Sequence, residues 1–221
     1  MKFTFLLADA SIEIPPRKIW NHPAIKSDAE KRRRRPDEIL LYIPKHRFAI
    51  DMLNNATKRG RPDIAHRTLL ILLDSPLNRA GLMRILVHTI NDEILEFSPK
   101  VRLPRDYYQF EGLMVQLLKI GRVPSKGEPL IWKLHTNVNS LLKDNYVVLL
   151  SEKGDRLSLD SLREIIEKNP LIAVGAFQKG KFSEIYYQYA NEIYRLGDYI
   201  LMTSNIVCKL VTMIELCIGI L

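Results

Sequence analysis

Cysteine is almost missing from this chain: Cys208 and Cys217 are the only two among 221 residues, and both lie in one apolar C-terminal segment. That excludes a disulfide framework and a cysteine-built metal site, and it points to buried thiols in a reducing compartment. The histidines, His22, His46, His66, His88 and His135, are scattered without ligand spacing, so no metal is expected. No serine or cysteine stands in a nucleophile-elbow pattern. The glycines form neither a dinucleotide fingerprint nor a Gly-Lys-Ser/Thr phosphate loop. Acidic residues are in deficit, 25 against 33 Lys and Arg, for a net charge of +8. An excess of that sign favours a polyanionic partner, with nucleic acid the commonest.

Long hydrophobic runs are scarce. The run from Ile200 to Leu221 is interrupted by Lys209 and Glu215, which makes it a buried interface helix rather than a membrane span. Phe3 to Leu7 is read as a strand, not as a targeting segment. With 47% apolar and 26% charged residues, the chain is globular and of a length that fits one domain, here taken as 1–221.

Along the chain, strand-like alternation from Phe3 to Ile14 ends at Pro15-Pro16. Residues 26–37 hold the run Lys31-Arg32-Arg33-Arg34-Arg35-Pro36 and read as a basic surface arm able to track a phosphate backbone. Glu38 to Ile43 reads as a buried strand, His46 to Ala56 as a helix, and Ile64 to Leu73 as a second, mostly buried helix. Two alternating segments around Asn91-Asp92 predict a hairpin, part of an insertion spanning about 84–106. A helix follows from Tyr107 to Ile120, and Gly121 to Pro129 is a linker. The second half alternates: strand Tyr146 to Leu150, helix Leu159 to Lys168, strands Leu171 to Val174 and Ile193 to Leu196, and a closing helix Leu201 to Gly219. Alternating strands and helices argue for an α/β fold, a parallel sheet with helices on both faces. Ligands then bind beyond the carboxyl ends of the strands, in loops such as 151–154, 175–180 and 197–199.

The chain is organised around Lys58-Arg59-Gly60-Arg61-Pro62-Asp63, where Gly60 and Pro62 break structure at the mouth of a buried helix. Asp63 lies in the first turn, where it either caps the helix or pairs with Arg61. His66, one turn on, is read as structural. Arg102 and Arg105 lie in a loop stiffened by Pro99 and Pro104, beside Tyr107, Tyr108 and Phe110. They either pair with Asp92, Glu93 or Asp106, or stay free to meet phosphate while an aromatic ring stacks on a base.

Residues 59–66, 73–82, 102–105 and 112–118, from Arg59-Gly60-Arg61-Pro62-Asp63 through Leu73-Asp74-Ser75-Pro76-Leu77-Asn78 and Arg102-Leu103-Pro104-Arg105 to Gly112-Leu113-Met114, resemble the pseudouridine-N1 ribosomal RNA methyltransferases. These are ribosome-biogenesis proteins of the SPOUT class. The resemblance implies a SPOUT-type α/β fold with a deep C-terminal trefoil knot, a homodimer, and S-adenosylmethionine bound in the knot loops. It places cofactor contacts at Leu150, Ser151, Gly175 and Gly180, and at Arg195, Leu196, Gly197, Asp198, Tyr199, Ile200 and Leu201. It places contacts to small-subunit ribosomal RNA at Arg59, Arg61, Arg102 and Arg105, and at Gln109, where the family carries an arginine. Asp63 and Arg61 form the implied catalytic pair. The last loop departs from the family pattern Ser-Asn-Tyr-Pro-Leu-Ser-Ala, since only Tyr199 and Leu201 of it remain.

The implied activity is methylation of N1 of a pseudouridine, in the cytoplasm, or in the nucleolus of a eukaryote. An ordinary aspartate, with a pKa of about 3.9, is a weak base for a ring N–H, so Asp63 is expected to orient or brace. Alternatives are a non-enzymatic RNA-binding assembly factor on the same fold, or methylation of a ribose 2′-OH.

Overall fold

The computed structural model describes residues 2–221. In chain order its elements are β1 (Phe3–Ala10), α1 (Pro23–Lys31), α2 (Ile43–Ile50), α3 (Pro62–Asp74), α4 (Pro76–Arg79), β2 (Met83–Thr89), β3 (Ile94–Phe97) and α5 (Tyr107–Ile120). They continue with β4 (Arg122–Val123), β5 (Ile131–Lys133), α6 (Val138–Lys143), β6 (Val147–Arg156), α7 (Leu159–Glu167), β7 (Leu171–Gly175), α8 (Glu184–Tyr189), β8 (Ala190–Arg195) and α9 (Thr203–Cys217).

All eight strands form one sheet in the order β4-β5-β3-β2-β1-β7-β6-β8. The five strands from β2 to β8 in that order pair in parallel, while β3, β5 and β4 extend the sheet antiparallel. The sheet is therefore mixed rather than wholly parallel. Met83 to Thr89 is also not part of an insertion, because β2 pairs with β1 along its length.

Alternation along each strand divides the core. Phe3, Phe5 and Leu7 of β1 join Ile85, Val148, Val174 and the buried faces of α3, α5, α7 and α9. Leu6 and Ala8 point the other way, to Leu149, Ala173 and the smaller helices α6 and α8. Two apolar faces covered by helices are what a central strand with period-two alternation of fully buried residues requires.

Residues 26–37 are not an arm. Pro23–Lys31 is helical, and Pro36–Glu38 is a short 3-10 turn. Arg32 forms a fork with the fully buried Glu111 of α5, whose Oε1 also accepts from the Leu40 amide at 3.0 Å. Arg35 pairs with Asp37 and Glu38. Ile19, Ile25, Ala29, Ile39, Leu41, Ala49 and Ile50 then make a satellite core. The expected strand at Glu38 to Ile43 takes no sheet partner; Ile39 and Leu41 serve this satellite core, while Leu40 points into the main core. The second helix of the region ends at Ile50, six residues before its expected limit at Ala56.

The closing helix buries Val207, Leu210, Val211 and Ile214 against α3 and α7. Glu215 is buried with them, its Oε1 accepting from the Leu77 amide at 2.9 Å at the start of α4. Cys208 is exposed and Cys217 half-buried, so the expectation of two buried thiols fails. Cys217 packs against the main core, while Cys208 stays on the surface. No helix among the described residues is long and apolar enough to cross a membrane, and no group of His, Cys, Asp and Glu among them is placed to hold a metal.

Candidate functional site

At Gly60 the backbone takes a φ of +71°, and an added Cβ would lie 2.4 Å from Ile50 Cδ1 and 2.9 Å from Ile43 Cγ1. Only glycine fits this close approach to α2. The next residue, Arg61, anchors its amide on Ser11 Oγ at 3.0 Å and turns its side chain back onto Asp63. Arg61 Nε donates to Asp63 Oδ1 at 2.7 Å and Nη2 donates to Oδ2 at 2.8 Å. Asp63 is buried and also lies 3.4 Å from Arg67 Nη2. A bidentate fork of this kind fixes the guanidinium plane as well as its charge. The Asp63 hydrogen bonds hold the Arg61 pKa above its ordinary value. Of the two readings open in the sequence, pairing prevails: the residue before the helix is Arg61, and it makes no side-chain cap.

Arg59 is drawn inward, its Nη1 paired with Glu13 and its Nε donating to the Asn54 carbonyl. Glu13 is buried, and Oε1 has no hydrogen-bond partner. Burial pushes its pKa up to about 7, against the opposing pull of Arg59.

Arg102, Arg105 and Gln109 are exposed, and neither arginine has an ion-pair partner among the described residues. The acids that stood as their alternative partners are engaged elsewhere: Asp92 with His88, Glu93 with Lys133, and Asp106 with the Gln109 amide at 2.9 Å. The loop that carries both arginines is pinned to α3. His66 Nε2 donates to the Pro104 carbonyl at 2.7 Å, and the imidazole stacks on Phe110 with centroids 4.2 Å apart. Burial pulls the His66 pKa down, which suits a neutral ring holding a carbonyl. Tyr107 stacks on Tyr42 at 4.7 Å, and Arg32 and Lys45 approach the Tyr108 ring at 5.1 and 4.9 Å.

A cleft opens beside the middle of β6, where its pairing with β8 shifts register, and beyond the carboxyl end of β8. It is lined by Leu150, Ser151 and Glu152, by Tyr194 and residues 195–201, and by Ile206. Arg195 Nη1 donates to the Gly154 carbonyl at 2.8 Å, and Gly197 takes a φ of +77° where the loop turns. The lining joins apolar Leu150, Leu196, Leu201 and Ile206, which suit a purine, to Ser151, Arg195, Asp198 and open loop backbone, which suit a ribose and an amino-acid end. S-adenosylmethionine fits this donor set.

Nine of the eleven expected cofactor residues are thus brought together: Leu150, Ser151 and 195–201. Gly175 is not part of the cleft lining; its carbonyl accepts from Thr203 Oγ1 at 2.7 Å, two residues beyond the lining residue Leu201. A Cβ on Gly175 would meet the Phe177 ring at 2.8 Å, not the cleft. Gly180, φ +116°, is not part of the lining either, and a Cβ there would meet the Lys58 side chain at 3.6 Å. Residues 151–154, expected as a loop, belong to β6 and bring Glu152 to the cleft; Tyr194 and Ile206 in the cleft, and Asp9 and Glu13 near the Arg61 mouth, were not anticipated from the sequence. Asp9 and Glu13 lie at the end of the first strand, a position the strand-end rule could have flagged.

The EMG1/NEP1 methyltransferase family model matches residues 5–215. The chain is 37% identical over 215 residues to the ribosomal RNA small subunit methyltransferase Nep1 of Saccharolobus solfataricus, covering 95% of each. It is 38% identical over 182 residues to the Nep1 of Thermococcus kodakarensis, covering 80% of this chain and 82% of that one. The crystal structure of Archaeoglobus fulgidus Nep1 bound to S-adenosylhomocysteine superposes with a TM-score of 0.89 at 33% identity, over 99% of this chain and 100% of that one.

Proposed function

The chain belongs to the EMG1/NEP1 methyltransferase family, and from that premise we propose that it methylates N1 of a pseudouridine. It is an S-adenosylmethionine-dependent methyltransferase of small-subunit ribosomal RNA. The observation that carries the reading is the cleft between the middle of β6 and the loop after β8, with a donor set that suits the cofactor.

Bound there, S-adenosylmethionine supplies a methyl group on a sulfonium, an electrophile that needs little activation. The protein's own task is to hold the base in line, since proximity and alignment carry large effects in such transfers. Arg61 presents a guanidinium of fixed plane to the RNA. Both oxygens of Asp63 are taken by Arg61, so Asp63 braces and does not accept the ring proton. Arg102 and Arg105, free of protein partners, meet backbone phosphates, and a nucleobase stacks on the aromatic side chains beside them. Arg59 is committed to Glu13 and contributes to the surface from behind. In this reading the C-terminal strands form the trefoil knot and the protein acts in the cytoplasm.

The same reading makes the protein a homodimer. Tyr199, Ile200 and Met202 are 86, 91 and 70% exposed, and Leu216 on the outer face of α9 is 58% exposed. A second copy covering this surface would remove that apolar area from water. A monomer by light scattering at micromolar concentration contradicts the dimer.

The test of specificity is methyl incorporation into paired hairpin RNAs that differ only in pseudouridine or uridine at one position. Incorporation into the pseudouridine hairpin alone is expected. Equal incorporation into both points to another atom, and a methylated ribose detected by alkaline resistance identifies the 2′-OH. Binding of both RNAs with no transfer leaves an assembly factor.

A further inference from the structure

Between the cleft and the Arg61 mouth lies a buried polar junction centred on Asp9. This residue sits at an irregularity in the pairing of β1 with β2, where φ is +51°, a conformation that non-glycine residues rarely take. Its side chain is only 2% exposed. Oδ2 accepts from Lys58 Nζ at 2.8 Å and from the Ser183 amide at 2.8 Å, and Oδ1 accepts from Ser183 Oγ at 2.9 Å. His88 Nδ1 is 3.7 Å from Oδ1 and closes the back of the junction with Tyr186, whose hydroxyl is 2.7 Å from that nitrogen.

Each partner of Asp9 belongs to a different part of the machinery. Lys58 is one residue before Arg59 and three before Arg61, and the short turn that carries it leads directly into Gly60. A Cβ added at Gly180 would meet the Lys58 stem at 3.6 Å, and the Lys58 ammonium stands 5.0 Å from the Phe177 ring centroid. Ser183 ends the loop that begins at Gly175, whose carbonyl is held by Thr203 two residues beyond the cleft residue Leu201. One loop, residues 176–182, therefore runs from Gly175, tied to Thr203 next in chain to the cleft loop, to Ser183, tied through Asp9 to Lys58 on the approach to Arg61. A buried carboxylate in a low-dielectric setting makes each of these bonds strong and costly to break singly.

Resting on the reading of the cleft as the cofactor site and of Arg61 as an RNA contact, we infer that the Lys58–Asp9–Ser183 junction couples the two. Occupancy of the cleft orders the 175–183 loop, the loop fixes Lys58 through Asp9, and Lys58 sets the backbone from which Arg61 projects. Lys58 and Asp9 are positioning residues in this scheme and touch neither ligand. Coupling of this kind is reciprocal, so each ligand raises the affinity for the other by the same factor.

The test is calorimetric titration of S-adenosylhomocysteine with and without saturating pseudouridine-containing hairpin RNA, and the converse titration. For the unmodified protein the two ratios are expected to agree and to lie at roughly five-fold or more. In Lys58→Met, which keeps the stem against Gly180 and removes the charge, the ratio falls to about one while each separate affinity stays within roughly three-fold. Because Lys58→Met leaves a buried carboxylate unpaired, Lys58→Met/Asp9→Asn is measured beside it; asparagine tolerates the left-handed backbone, and the pair is neutral. The same loss of coupling is expected there. A ratio of one in the unmodified protein, or a ratio unchanged in the double variant, overturns the inference. Failure of the unmodified protein to bind either ligand overturns the functional reading instead.

Discussion

His66 and Pro104, 38 residues apart, are joined by a 2.7 Å hydrogen bond from the imidazole Nε2 to the proline carbonyl. Through this contact, α3, which begins with the Arg61–Asp63 fork, also fixes the loop of Arg102 and Arg105. The Arg61 guanidinium and the Arg102–Arg105 loop therefore share one support. His66→Ala should free the loop and lose the stack on Phe110. The expected cost is about 2–3 kcal/mol of stability, with weaker RNA binding and unchanged S-adenosylhomocysteine affinity. Chemical denaturation and filter binding measure both, and an RNA affinity equal to wild type would disconnect the loop from recognition.

Asp63→Gly removes both acceptors of the Arg61 fork and leaves a half-buried guanidinium unpaired. A loss of about 1–3 kcal/mol in folding stability should accompany weaker RNA binding. Asp63→Asn keeps one acceptor and should retain most of the single-turnover rate. A folded Asn variant that binds RNA but transfers no methyl group would instead make Asp63 the proton acceptor.

Arg102→Ala and Arg105→Ala should each lower the slope of log affinity against log salt by roughly one, the signature of one lost phosphate contact. Cofactor affinity should not move. Unchanged slopes would mean these side chains do not reach phosphate.

Glu13 gives a pH dependence with a defined sign. Its folded pKa is raised from 4.5 to about 7, so between these values the folded chain holds a proton that the unfolded chain has lost. The contribution to stability is full below about 4.5, falls as pH rises towards 7, and is gone above it. Glu13→Gln should flatten this part of the stability profile, by an amount on the order of 1–3 kcal/mol between about pH 5 and 8. Parallel profiles for the two proteins would show that Arg59 keeps Glu13 ionised throughout.

Long periodic segments were legible. The helix at Tyr107–Ile120 and the four parallel strands after residue 82 follow the expected boundaries to within a few residues, apart from the longer carboxyl end of β6. Ile131–Lys133 and Glu184–Tyr189 are too short to show a period, and they were missed. The apolar run Ile39-Leu40-Leu41 carries a strand's composition, yet a strand also needs an edge to pair with, and the satellite core offers none. The arginine run misled for another reason: the partner that orders Arg32 is Glu111, 79 residues away, and local charge pattern holds no trace of it. In the site, the cleft residues were found through family resemblance and strand-end geometry together. The Asp9 junction was not, because its members come from four separated segments.

The central place of β1 has a consequence for how this protein is made. β1, synthesised well before β7, pairs with β2 on one side and with β7, at Leu171–Gly175, on the other. Until β7 has been synthesised, one side of β1 offers unpaired amides and carbonyls to any neighbouring strand. At translation speeds of about 5–20 residues per second, that interval lasts on the order of ten seconds or more. A nascent chain cut short before residue 171 is left with that open edge, so holding chaperones are expected to bind early and release only near the end of synthesis.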